Sequence, residues 1–141
     1  MFKFISFYIL FTASVIFAKE IQWQEDFNSG IKNATAQNKP VLFVFSRHTC
    51  HYCQVLEETT FENEEVIEKL NAEFISIVSY TDENDYTPRE LWRPGTPTIW
   101  FLKPDGEPRY EPIMGAIDAK SFLKALNLVK QDFDENQRAA K

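Results

Sequence analysis

Glycine is scarce in this chain. Four glycines occur in 141 residues, and none lies in a phosphate-cradling loop of the Walker or dinucleotide-binding type, which argues against nucleotide chemistry. Positive charge is also in short supply, with 15 Lys and Arg against 21 Asp and Glu and a formal net charge of −6. Nucleic-acid binding rests on clustered basic side chains, so no broad footprint for DNA or RNA is expected. A full-length membrane span is missing too. The uncharged run Phe4 to Ala18 would reach about 22 Å as a helix, short of the roughly 30 Å hydrocarbon core. Behind the short positive start Met1 to Lys3 it reads as a secretory signal peptide over residues 1–18, cut after Ala18 or after Ser14. An uncleaved anchor is the alternative. Either reading exports the rest of the chain, to a periplasm or beyond.

What remains has the means to fold as one domain. Hydrophobic residues make up 44% and charged residues 26% of the chain, ordinary globular values that exclude wholesale disorder. Periodicity divides residues 21–130 into alternating elements. Phe27, Ile31 and Ala34 mark an amphipathic helix over Asn28 to Gln37, ended by Asn38-Lys39-Pro40. Val41 to Phe45 is an unbroken apolar run, the mark of a strand covered on both faces. A polar turn follows, and Cys50 opens a helix through about Glu58. Asn63 can cap the next helical stretch, with Val66, Ile67 and Leu70 on one face. Phe74 to Val78 reads as a second strand and Thr98 to Leu102 as a third. Pro104-Asp105-Gly106 signals a hairpin into a fourth strand near Arg109 to Ile113. Asp118 can cap a last helix carrying Phe122, Leu126 and Val129. Residues 131–141 read as a polar, frayed tail.

Both cysteines of the chain, Cys50 and Cys53, fall in one tetrapeptide, Cys-His-Tyr-Cys. An exported compartment permits disulfides. A structural staple gains from closing a long loop, however, and a bridge across four residues closes almost none. The pair suits electron exchange better than it suits holding a fold.

A buried strand leading into Cys50-x-x-Cys53 at a helix start, with Gly95-Thr96-Pro97-Thr98 just before the third strand, resembles the thioredoxin superfamily over roughly Trp23 to Val129. The stretch Cys50 to Glu57, followed by Thr60-Phe61-Glu62-Asn63-Glu64-Glu65-Val66, is similar to exported members such as the C-terminal domain of the electron transporter DsbD. The resemblance implies an α/β thioredoxin fold, a central four-stranded mixed sheet flanked by helices. It also implies that the Thr96–Pro97 bond is cis and that Thr96 and Pro97 contact an incoming extended substrate. Two departures stand out. Thr49 replaces the family's Trp before the first cysteine, and Val44 stands where thioredoxins carry a buried acid. Glu57, one turn beyond Cys53, is a substitute acceptor, although a solvated helix face is the commoner fate of such a residue.

A helix N-terminus favours thiolate over thiol, which makes Cys50 the expected nucleophile and Cys53 the resolving thiol. His51 can tune the Cys50 thiolate or simply face solvent, and Tyr52 is expected to shape the contact surface. The electrons reside in the cysteine pair, so no bound organic cofactor is needed. Gln54 after Cys53 breaks the Cys-x-x-Cys-His haem pattern. His48, Cys50, His51 and Cys53 could offer metal ligands, but six consecutive residues wrap a tetrahedral site poorly. The expected function is thiol–disulfide exchange with protein thiols or disulfides, as a reductase or relay fed by an upstream redox partner such as a membrane electron transporter. A disulfide-donating oxidase and a non-enzymatic binding or metal-binding module are the alternatives. No dimerisation segment is visible, and a monomer is expected.

Overall fold

The computed structural model describes residues 20–141; the signal-peptide reading of residues 1–18 lies outside them. The chain runs α1 (Phe27–Gln37), β1 (Val41–Ser46), α2 (His51–Glu58), α3 (Glu64–Glu73), β2 (Ile75–Tyr80), β3 (Thr98–Leu102), β4 (Ile113–Met114) and α4 (Ala119–Ala139). Single 3₁₀ turns at Thr60–Glu62, Thr81–Glu83 and Arg89–Leu91 bridge the longer connections.

The four strands form one mixed sheet in the order β2-β1-β3-β4. β1 is central, parallel to β2 and antiparallel to β3, and all six of its residues are buried. Alternation divides the five apolar ones between two cores. Val41, Phe43 and Phe45 join Ile75, Ile77, Trp100 and Leu102 beneath α1. Leu42 and Val44 join Leu56, Leu70, Ile99, Phe101, Phe122 and Leu126 beneath α2, α3 and α4. The uninterrupted apolar run is thus a strand with helices on both sides. α1 approaches β2 so closely that a Cβ on Gly30 would stand 2.4 Å from Ile77 Cδ1, which only glycine avoids.

Helix starts follow capping chemistry. The Asn63 side chain accepts from the Val66 N–H at 3.1 Å, and that of Asp118 from the Ser121 N–H at 3.0 Å. α1 begins one residue before the expected Asn28, because Asp26 and Ser29 form a reciprocal capping box. It ends at Asn38, which takes the left-handed conformation with φ 49°.

Two expectations are corrected. The fourth strand does not run from Arg109 to Ile113; it is confined to Ile113–Met114. The turn forms as expected, with the Gly106 N–H donating to the Lys103 carbonyl at 2.9 Å, and one isolated bridge joins Leu102 to Pro108. Pro108 and Pro112 carry no N–H to continue a ladder between these points. Residues 131–141 are not a frayed tail either, since α4 extends to Ala139. Lys130 pairs with Asp134 and Gln131 with Glu135 at i,i+4. Asp132 receives Arg109 and Tyr110 from the hairpin, and Gln137 receives Asn38 from the end of α1. Polar residues here tie the helix to its neighbours.

Candidate active site

The site lies at the C-terminal end of β1, where the chain leaves Ser46, turns through Arg47 to Thr49, and enters α2. Cys50 is the N-cap residue of α2. Its Sγ accepts from the Cys53 N–H at 3.3 Å, and its carbonyl accepts from the Gln54 N–H at 3.1 Å. The thiol therefore occupies the position usually held by a capping oxygen, against the positive end of the helix dipole. Cys50 is half-buried, whereas Cys53, one turn further in, is 1% exposed.

The loop from Gly95 to Pro97 closes the other side. The Thr96–Pro97 peptide bond is cis, and the Cys50 thiol donates to the Thr96 carbonyl at 3.4 Å. The loop is fixed from behind. Trp100 Nε1 donates to the Leu91 carbonyl at 2.9 Å, and the Arg93 guanidinium lies over the Trp100 ring while donating to the Trp92 carbonyl. On its far side the Gly115 N–H donates to the Pro97 carbonyl at 2.9 Å. The adjacent Met114 is exposed and close enough to Gly95 that a Cβ there would stand 3.1 Å from its Cε.

These surroundings separate the two thiols. Burial pushes the Cys50 thiol up, but hydrogen bonding from Cys53 and Thr96 and from the Cys53 and Tyr52 backbone outweighs it, leaving Cys50 below the ordinary thiol value. Burial dominates at Cys53, reinforced by Cys50, and holds that thiol above the ordinary value against smaller contributions from Thr96, Ser46 and Arg47. The two thiols are thus shifted in opposite directions, Cys50 toward easier and Cys53 toward harder ionisation, the division that sequential thiol–disulfide exchange calls for.

His51 and Tyr52 are both exposed, with ring centroids 5.4 Å apart. They form the outer lip of the site. Among the nearby aromatic residues, Trp92 is 55% exposed and packs edge-on against Phe45, while Trp100 and Phe101 are core. Val44 lies in the apolar core, as its side chain requires. His48 finds its side-chain partners at the end of β2 and just beyond it. Its Nδ1 lies 3.1 Å from Asp82, its backbone N–H donates to the same carboxylate, and its ring stacks on Tyr80 at 3.9 Å. Among the described residues no group of three or more His, Cys, Asp or Glu converges to hold a metal.

Sequence reasoning did not find the partners of Glu57. Its Oε1 accepts from the Tyr80 hydroxyl at 3.1 Å and from Ser46 Oγ at 3.4 Å. Burial and then the Glu57 charge push the Tyr80 phenol well above its ordinary value, so it stays a donor. The available signal was that Ser46 is the lone polar residue closing an apolar run. Pairing it with Tyr80 needs the β1–β2 register.

Comparison with known proteins agrees with this geometry. Residues 27–130 match the family model described as a thioredoxin-like domain. The chain is 30% identical to the thiol:disulfide interchange protein DsbD of Pseudomonas fluorescens over 103 residues, 70% of this chain and 18% of that protein. It is 32% identical to rat spermatogenesis-associated protein 20 over 63 residues, 45% of this chain and 8% of that protein. The chain thus spans less than a fifth of either of these curated relatives. Among solved structures, a thioredoxin from Thermus thermophilus superposes with a TM-score of 0.65 at 27% identity, covering 78% of this chain and 87% of that one. With its four-stranded mixed sheet, its Cys-x-x-Cys at the start of α2 and its cis-proline loop beside Cys50, the chain has the thioredoxin fold and belongs to the thioredoxin-like domain family.

Proposed function

We propose that this protein is an exported thiol–disulfide oxidoreductase that reduces disulfides of protein substrates, or relays electrons to them, through Cys50 and Cys53. The observation that carries the reading is the Cys50 thiol, held at the α2 N-cap 3.3 Å from the Cys53 N–H and 3.4 Å from the Thr96 carbonyl. The Cys50 thiolate attacks one sulfur of a substrate disulfide, and the other sulfur leaves as a thiolate. Cys53 then attacks Cys50 Sγ, the mixed disulfide breaks, and the second substrate thiolate departs. Two electrons pass from the cysteine pair to the substrate, and an upstream donor must restore the dithiol. Thr96 and Pro97, beside Cys50, are the residues assigned to pair with the extended substrate backbone. The exposed Tyr52, Trp92 and Met114 supply apolar contact around them. Export to a periplasm or beyond rests on the composition of residues 1–18.

The reading is tested by presenting a disulfide-bonded protein to the reduced chain. Cys50→Ser abolishes reduction, while Cys53→Ser accumulates a covalent mixed disulfide through Cys50. A Cys50→Ser chain that still captures the same partner would instead indicate a binding module.

A further inference from the structure

The turn that delivers Cys50 is gripped from two sides at a single residue. Arg47, His48 and Thr49 join β1 to α2, and Arg47 and Thr49 are exposed. Hydrogen bonds from the surrounding elements converge on His48. On one side its backbone N–H donates to Asp82 Oδ2 at 3.0 Å, its Nδ1 lies 3.1 Å from Asp82 Oδ1, and its ring stacks on Tyr80. Nε2 lies 3.6 Å from Glu83 Oε1. On the other side the His48 carbonyl accepts from Gln54 Nε2 at 2.8 Å. Gln54 belongs to α2, so the helix capped by Cys50 reaches back to hold the turn that precedes its own cap.

Asp82 is itself well supported. Its 3₁₀ turn, Thr81–Glu83, ends at Asn84 in the left-handed conformation with φ 57°. Behind it the Tyr80 N–H donates to Asp85 Oδ2 at 2.9 Å, and the hydroxyl of buried Ser79 lies 2.5 Å from Thr87 Oγ1. Burial pushes the Asp82 carboxyl up, but hydrogen bonds from the His48 backbone and ring outweigh it and hold it below the ordinary value. It is therefore a charged acceptor at neutral pH.

We propose that Asp82 and Gln54 are positioning residues for Cys50, clamping the N–H and the carbonyl of His48 so that the Cys50 sulfur stays on the N-terminus of α2. The proposal rests on the oxidoreductase reading. Cys50 has the extended backbone of an N-cap, φ −94° and ψ 120°, and its Sγ meets the Cys53 N–H at 3.3 Å. Only Thr49 separates it from His48. A turn released at His48 lets the sulfur drift from that N–H, and both the hydrogen bond and the helix-terminus stabilisation fall away over short distances.

Two roles for Asp82 predict opposite signs. A carboxylate acting only as a nearby negative charge disfavours the Cys50 thiolate, so its removal would let the thiolate form at lower pH. As a clamp, its removal makes the thiolate form at higher pH. Gln54 is neutral, so its removal carries no charge effect and reports the clamp alone.

The test uses the full, reduced chain, with iodoacetamide alkylation of Cys50 followed across pH by timed quenching and peptide mapping. Asp82→Ala and Gln54→Ala are each expected to move the midpoint of the Cys50 profile upward by about 0.5–1 pH unit, the size of a helix-terminus contribution. Below the midpoint this slows alkylation about three- to tenfold. Asp82→Asn, which keeps an oxygen for the His48 N–H, recovers most of the unmodified profile. Asp132→Ala, which loosens α4 without touching the clamp, leaves the profile in place. An Asp82→Ala midpoint that stays put or moves downward, or an unchanged Gln54→Ala midpoint, overturns the clamp while leaving the oxidoreductase reading standing. An unmodified chain that never forms a Cys50–glutathione adduct with glutathione disulfide overturns both.

Discussion

Cys50 and Cys53 are separated by two residues yet meet opposite surroundings. Cys50 stands at a helix N-cap, where the Cys53 N–H reaches its sulfur at 3.3 Å, and Cys53 is enclosed by the core. Hydrogen bonding outweighs burial at the first and burial dominates at the second, so their thiols titrate in opposite directions from the ordinary value. The sign of the consequence is fixed. A lowered pKa makes the thiolate available earlier as pH rises, and alkylation follows the thiolate. The iodoacetamide rate at Cys50 is expected to level off below the ordinary thiol pKa, with Cys53 unmodified until higher pH. Peptide mapping after timed quenching checks this. A Cys50 plateau at or above the ordinary value, or earlier labelling of Cys53, would contradict the assignment of roles. The exposed His51 ring lies against Tyr52, and what acts on Cys50 is burial first, then hydrogen bonding from Cys53 and Thr96, with smaller contributions from the Cys53 and Tyr52 backbone.

Among the elements, α2 and α4 show how side-chain chemistry sets helix limits. α2 starts where a sulfur can cap it, which places the Cys50 thiol at the positive end of the dipole. α4 continues past Lys130 because Asp132 holds Arg109 Nε at 3.1 Å and also receives the Tyr110 hydroxyl. Hydrogen bonds from Arg109 and then Tyr110 hold the Asp132 carboxyl below its ordinary value. Its contribution is therefore present above the ordinary carboxylate pKa and lost as pH falls through the depressed folded value. These are half-exposed groups, so Asp132→Ala is expected to cost only about 0.5–1 kcal/mol. The loss should be concentrated in residues 131–139, where amide hydrogen exchange accelerates while exchange in β1 stays slow. Uniform acceleration across the sheet, or none in α4, would contradict this picture. The helix end escaped sequence reasoning because its anchors, Arg109 and Asn38, lie far away in the chain. β4 was overextended because the turn signal at Pro104 to Gly106 is local, whereas the missing donors at Pro108 and Pro112 limit the pairing beyond it.

At the scale of the whole molecule, the topology turns short motifs into one site. The parallel β1–β2 and antiparallel β1–β3 pairings bring the loop at Thr96 to Cys50 across 46 positions of sequence. Most of that arrangement was legible in advance. The apolar run Val41 to Phe45 announced a central strand, the Cys-x-x-Cys motif fell at the expected helix start, and Gly95-Thr96-Pro97 marked the facing loop through its resemblance to the superfamily. The links Ser46–Glu57–Tyr80 and His48–Asp82 were not legible, because they depend on strand register and loop return and have no fixed spacing in sequence. The central claim, that this pair delivers electrons to other proteins, is most directly tested by its equilibrium reduction potential in dithiothreitol or glutathione buffers. A reversible couple near or below about −270 mV is the result predicted for a reductase or relay. A couple near about −120 mV, the range of a strong disulfide donor, or a pair that does not cycle, would contradict it.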